Sequence, residues 1–203
     1  MLTMNETEAA YARFLSETNC KRLPKTADAL FTQLEKHLRT IDEAETDGYF
    51  PAIAAALFGV LRPGDVLVSA VGAPYDTLLG VIGVTDKGSG SLKDFGVGYR
   101  QVDLTAENTP DLEGLGKAVD DPKVKAVLIQ RSIGYSTRAS LSVDEFGQLC
   151  AVIRRVNPSA AILVDNCYGE FVEEWEPTHA GADLVVGSLI KNPGGGLAPT
   201  GAY

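Results

Sequence analysis

Ala161-Ile-Leu-Val-Asp165-Asn-Cys-Tyr-Gly169 and Ala182-Asp-Leu-Val-Val-Gly-Ser188-Leu-Ile-Lys191-Asn-Pro-Gly-Gly-Gly196 are the two stretches whose reading decides the fold. Each begins as an apolar run of the kind that a strand buried on both faces shows. Each run stops at a polar residue, a carboxylate in the first and a hydroxyl followed by an amine in the second. In an open parallel sheet the ligand sits beyond the carboxyl ends of the strands, so these residues are expected to face one crevice.

Outward from these stretches, the chain from Ala52 onward alternates helix and strand signals. Residues 52–58 read as a buried helix stopped by the turn signal Arg62-Pro63-Gly64-Asp65. Val66–Val71 is a predicted strand, and Gly72–Asp76 opens a short helix, with Pro74 expected in its first turn. A loop covers Lys87–Ser91, and Gly98–Leu104 contains another strand. Asp111–Val119 reads as a helix and Lys125–Gln130 as a strand. Ser142 and Glu145 form a capping box for a helix running to about Arg155. A short amphipathic segment, Phe171–Trp175, separates the two opening strands. Such alternation predicts an α/β fold, a mostly parallel sheet with helices on both faces. Residues 196–203 read as a glycine loop entering one more strand, so the domain is expected to be incomplete there.

Residues 1–46 lack strand patterning and are predicted to be a helical segment preceding the domain at 47–203. Asn5 with Glu8 resembles a capping pair, and Leu30, Leu34, Leu38 and Ile41, with Phe31 beside them, mark one face of an amphipathic helix. That face could pack on the main domain or on a partner subunit.

Composition narrows the function classes. Across 203 residues, 45% are hydrophobic and 22% charged, ordinary for a globular protein. Eighteen basic against 27 acidic residues give a net charge of −9, and no basic run stands out. Nucleic acid and anionic membranes are therefore not expected partners. No apolar run is long enough to span a membrane, and the N-terminus has no signal-peptide pattern, so a cytoplasmic location is expected. Cys20, Cys150 and Cys167 are widely spaced and read as reduced thiols rather than a zinc site or a disulfide framework. His37 and His179 are far apart in polar surroundings, which gives a metal or serine–histidine reading nothing firm.

The chemistry rests on four residues. Lys191 would be a nucleophile at neutral pH only if desolvation or a cationic neighbour freed its amine; otherwise it is a solvated loop lysine. Asp165 ends a buried run and needs a cationic or hydrogen-bonding partner. The alternatives are a turn or cap aspartate, or a magnesium ligand. Ser188 could donate to a phosphate oxygen or satisfy the following turn. Tyr75 could stack on a planar group and act as acid or base, or simply pack. Gln130-Arg131-Ser132 end a third apolar strand and could touch cofactor or substrate, with Arg131 equally a surface ion-pair residue. Cys167 and Tyr168 are expected to be packing residues. Gly194–Gly196 could let backbone approach a flat ligand, and no nucleotide phosphate loop is present. A lysine and an aspartate converging on one crevice suit pyridoxal phosphate, whose aldehyde takes a lysine and whose ring nitrogen takes a carboxylate.

Several segments together resemble one family: residues 56–65, Pro74–Leu78, Gly90–Gly96, Val164–Glu174 and Gly187–Gly201. They are similar to the aluminium-resistance or methionine gamma-lyase-like pyridoxal-phosphate proteins, relatives of cystathionine beta-lyase in Cys/Met metabolism. The resemblance runs from about Ala52 to Tyr203 and implies the large domain of a fold-type-I pyridoxal-phosphate-dependent transferase. It implies Lys191 as the Schiff-base lysine and catalytic base, Asp165 as the ring-nitrogen partner, Ser188 as a phosphate contact, and Tyr75 as the stacking aromatic and acid. It further implies carbon–sulfur elimination from a small sulfur amino acid by a homodimer or homotetramer.

Two departures stand out. Gly48-Tyr-Phe-Pro51 replaces a Ser-Gly-Thr-like phosphate loop, and Pro51 removes one amide donor. Family members are also longer, so the chain is expected to be a truncated form without the small domain. An inactive remnant or interaction protein on the same fold, and an aminotransferase-like enzyme, are the competing readings.

Overall fold

The computed structural model describes residues 49–85, 90–134 and 136–203. Nine regular elements follow one another in these residues: α1 (Tyr49–Val60), β1 (Val66–Ser69), α2 (Asp76–Ile82), β2 (Gly98–Gln101), α3 (Leu112–Val119), β3 (Val124–Gln130), α4 (Val143–Val156), β4 (Ala161–Asp165) and β5 (Leu184–Val186). The strands form one sheet in the order β2-β1-β3-β4-β5, and every pair is parallel. The expected parallel sheet with helices on both faces is what the chain forms. The amphipathic face at Leu30–Ile41, the Asn5–Glu8 pair, Cys20 and His37 lie outside the described residues.

Two-sided burial explains why the strand runs are continuous rather than alternating in polarity. Along β3, Val127 and Ile129 join one apolar cluster while Ala126 and Leu128 join the other. The same alternation runs through Ile162, Leu163 and Val164 of β4, as the two-residue period of a strand requires. Ile53 and Leu57 of α1 with Leu78 and Ile82 of α2 cover one face. Leu115 and Val119 of α3 with Phe146, Leu149 and Ile153 of α4 cover the other.

Local signals hold where side chain and backbone agree. Ser142 caps α4 in a reciprocal box with Glu145, and Asp111 caps α3 by accepting from Gly114 N. Pro74 is not in a helical turn: Tyr75 is the N-cap and α2 begins at Asp76. Phe171–Trp175 forms turns and bends, not an amphipathic element, and Phe171 takes a left-handed φ of 61° with its ring 78% exposed. The tail pairs back on the sheet, since Tyr203 N donates to Gly187 O at 3.1 Å and Ser188 bridges Ala202 antiparallel.

Arg131 departs from both of its expected roles. It is 3% exposed, hence no surface residue, and its guanidinium is consumed by the protein itself. Nε donates to Leu141 O at 3.1 Å, and Nη1 donates to Asn166 Oδ1 at 2.9 Å and Gly169 O at 2.8 Å. Nη2 pairs with Glu173. Arg138, also buried, donates to the carbonyls of Gln130, Ser132 and Ala139 at 2.5, 2.6 and 2.7 Å. Two guanidiniums thus tie the segments leaving β3 and β4, where loop carbonyls would otherwise be buried without donors.

Replacing Arg131 by Met should therefore cost about 3–5 kcal/mol, because it strands several acceptors and a carboxylate at once. Phe146→Ala should cost a similar ~3–5 kcal/mol through a core cavity. Thermal unfolding of the two variants beside the parent chain checks both values.

Candidate functional site

Parallel pairing brings the strand ends into one row. Gln130 at the end of β3 is in register with Asp165, and Asp165 is in register with Val186 of β5. Neighbouring strands lie about 4.8 Å apart, so this row is compact. The helices after adjacent β1 and β3 leave to opposite faces, α2 to one and α4 to the other, which opens the sheet's carboxyl edge between them. α1 ends at Val60, five residues before β1 begins, and is about 18 Å long for its 12 residues. Its first turn therefore reaches back toward the carboxyl edge.

Asp165 is 2% exposed. Its Oδ1 accepts from the backbone N of Cys167 at 3.1 Å, an Asx-type turn that also reverses the chain after β4. That turn returns the Cys167 side chain to the apolar cluster on the α1/α2 face. There the thiol lies within reach of both the Asp165 carboxylate and the Lys191 amine, and each acts on it. Burial, helped by the Asp165 charge, pushes the Cys167 thiol up to about 12, so it stays protonated at neutral pH.

Lys191 is half-buried in the loop after β5. The loop is tight: Lys191 N donates to Ser188 O at 3.2 Å and Gly195 N donates to Lys191 O at 3.2 Å. A Cβ on Gly194 would meet Leu189 O at 1.7 Å, so the glycine permits the loop's own closure. Nζ lies 4.6 Å above the centroid of the Tyr168 ring. Burial pulls the amine down, but the Cys167 thiol, Tyr168 and the Asp165 charge together outweigh it and hold the amine above its ordinary value. Alone, Lys191 is therefore a docked ammonium rather than a free nucleophile.

Cys167 thus packs in the core, as the sequence suggested, and at the same time lies between two charged groups, whereas Tyr168 is not a packing residue. One links Asp165 to Lys191, and the other is 62% exposed with its ring under the ammonium. Ser188 is completely buried, and its Oγ has no hydrogen-bond partner among the described residues. Tyr75 stands on the far side of the row, its backbone N donating to Gln130 Oε1 at 3.2 Å and its ring against the α1/α2 cluster. The chain thus brings Asp165 and Lys191 together through Cys167, while β3 and β4 separate Tyr75 from the β5 loop.

A further buried carboxylate escaped the sequence reading. Glu170 Oε1 accepts from Tyr203 Oη at 2.8 Å, and Asn192 Nδ2 donates to Glu170 O at 3.0 Å. Burial and this carboxylate raise the Tyr203 hydroxyl well above the ordinary tyrosine range. The pair fastens the chain's last residues to the turn after β4. Its only sequence signal was an acidic residue close behind Asp165. No group of histidine, cysteine or carboxylate residues suited to a metal ion occurs among the described residues. No helix among them is long and apolar enough to cross a membrane.

These residues fit pyridoxal phosphate on its ring side. Asp165 is a buried carboxylate with one modest backbone donor, suited to a cationic ring nitrogen, and Lys191 already sits within its field. On the phosphate side, Ser188 Oγ is an orphaned donor. The first turn of α1, by contrast, contains Pro51 and offers one amide fewer.

Known proteins agree with this architecture. The family described as methionine gamma-lyase matches residues 46–203. YnbB, an uncharacterised protein of Bacillus subtilis strain 168, is 53% identical over 153 residues, covering 75% of this chain and 36% of YnbB. A Listeria innocua crystal structure, of a protein taken to be a cystathionine beta-lyase involved in aluminium resistance, superposes with a TM-score of 0.74 at 47% identity. It covers 76% of this chain and 38% of that one. The carbon–sulfur lyase involved in aluminium resistance from Clostridium novyi NT gives a TM-score of 0.70 at 47% identity, over 74% of this chain and 36% of that one. The chain spans little more than a third of the length of these relatives. With a five-stranded parallel sheet and a family match over residues 46–203, the chain belongs to the methionine gamma-lyase family and carries large-domain structure of the fold-type-I pyridoxal-phosphate proteins.

Proposed function

We propose that this chain supplies the ring-binding part of a pyridoxal-phosphate-dependent carbon–sulfur lyase acting on a small sulfur amino acid. The convergence of Asp165 and Lys191 through Cys167 carries the reading, and the lyase names of related proteins support the reaction class. Bound pyridoxal phosphate supplies an electron sink for negative charge at a substrate carbon.

The chain's own residues have distinct tasks in this reading. Asp165 would hold a proton on the ring nitrogen by ion pairing, which burial strengthens. Lys191 would hold the cofactor through its amine and, as a free base, would remove the proton next to the substrate carboxylate. Ser188 would donate its buried hydroxyl to a phosphate oxygen. Tyr75 would offer its ring to the cofactor's face and its hydroxyl as the acid for the departing sulfur. A non-catalytic protein on this fold is the second reading, favoured by Pro51 in the first turn of α1.

Purified protein mixed with pyridoxal phosphate should develop visible absorbance and release thiol from a sulfur amino acid. Lys191→Ala should abolish both. Asp165→Asn should retain the absorbance yet lose roughly a hundredfold in rate, the equivalent of about 3 kcal/mol of ion pairing. Absorbance without thiol release selects the non-catalytic reading, and absorbance that survives Lys191→Ala excludes the lyase.

The raised Lys191 amine adds a pH dependence. Covalent attachment needs the free base, whose population below the amine's pKa grows tenfold per pH unit. The rate of cofactor uptake, followed by stopped-flow absorbance, should therefore climb steadily from neutral pH to about pH 9 rather than level off near neutrality.

A further inference from the structure

Tyr168 combines three properties that ordinary turn chemistry does not explain. It is one of only three non-glycine residues with positive φ among the described residues, at 67°. Such a position suits glycine or asparagine, and a bulky aromatic there is strained. Its ring is mostly exposed, so core packing does not hold it in place. Yet the same turn is tightly built on either side: Cys167 N donates to Asp165 Oδ1 at 3.1 Å and Gly169 N donates to Asn166 O at 2.8 Å. The turn therefore aims the ring, and what it meets is the Lys191 ammonium at 4.6 Å from the ring centroid. Strain retained at a defined place points to a task there.

We propose that Tyr168 is a positioning residue for Lys191: its left-handed turn presents the ring as a seat for the ammonium, beside Cys167 and Asp165, until a cofactor takes up the amine. The assignment rests on the reading of Lys191 as the cofactor lysine. The ionisable groups acting on Lys191 are Cys167, Tyr168 and Asp165, all from the segment that ends β4. Within residues 188–203 the only other ionisable side chain is Tyr203, which is engaged with Glu170. The ring thus joins the thiol and the carboxylate in opposing burial. Geometrically, its π-face sits 4.6 Å from Nζ, which adds a cation–π attraction to those influences.

Removing the ring withdraws a stabiliser of the ammonium, so the lysine must lose its proton at lower pH. A cation–π contact at a partly exposed site corresponds to roughly half a pH unit, or about a threefold rise in the free amine at a given pH.

The test is competitive acylation of the cofactor-free chain with trace acetic anhydride across pH 7–11, with Lys191 read by mass spectrometry against Lys93 and Lys117. Tyr168→Asn removes the ring but suits a left-handed backbone, so it should fold at least as well as the parent and lower the Lys191 midpoint by about half a pH unit. Tyr168→Phe keeps the π-face and should restore the parental midpoint. An unmoved midpoint in Tyr168→Asn, or a Tyr168→Phe variant that behaves like it, overturns the proposal. Because no cofactor is added, this result is independent of the lyase reading. That reading is tested separately by borohydride trapping of pyridoxal phosphate on Lys191 in the parent chain.

Discussion

A carboxylate buried at the end of a parallel strand is the constraint around which this structure is arranged. Asp165 cannot turn to water, and a lone charge so placed is costly unless donors or a cation reach it. The chain meets that demand with short-range devices. A backbone amide two residues on caps Oδ1, the Cys167 thiol lies beside the carboxylate, and Lys191 adds its positive charge nearby. The loop after β5 must close tightly for the lysine to arrive there, and Gly194 makes that closure sterically possible.

The surrounding fold keeps this arrangement in place by spending polar groups on loops rather than on ligand. Arg131 and Arg138, both buried, bind mostly backbone carbonyls on the segments that leave β3 and β4. Arg131 also fixes Asn166, the residue directly after Asp165. These contacts determine where the turn at 166–169 points, and with it where Tyr168 and Cys167 meet Lys191. Positioning of the site is therefore a property of the sheet's carboxyl edge as a whole.

Under the proposed function, the residues that would hold pyridoxal phosphate divide unequally between its ring and its phosphate. The ring side has a buried carboxylate, a lysine within its field and an aromatic surface under the ammonium. The phosphate side offers the orphaned Ser188 hydroxyl and a helix whose first turn includes a proline. Kinship with the methionine gamma-lyase family covers residues 46–203.

Strand positions, the parallel sheet and the capping box at Ser142 were legible in the sequence because each depends on neighbours close along the chain. Apolar runs mark strands buried on both faces, and a serine three residues before a glutamate marks a helix start. The candidates Asp165 and Lys191 were legible for the same reason, as polar residues ending apolar runs. Arg131 as a buried tie, Cys167 as the link between carboxylate and amine, and Tyr168 as the seat of the ammonium were not. Their roles arise from contacts with residues distant in sequence, such as Asn166 for Arg131 and Lys191 for Tyr168, and no local pattern encodes such pairs. The sequence by itself determined which strands form and which polar residues end them. Only the tertiary structure decided which of those residues share a proton, a charge or a ring, because strand register and turn direction, not spacing along the chain, set those distances.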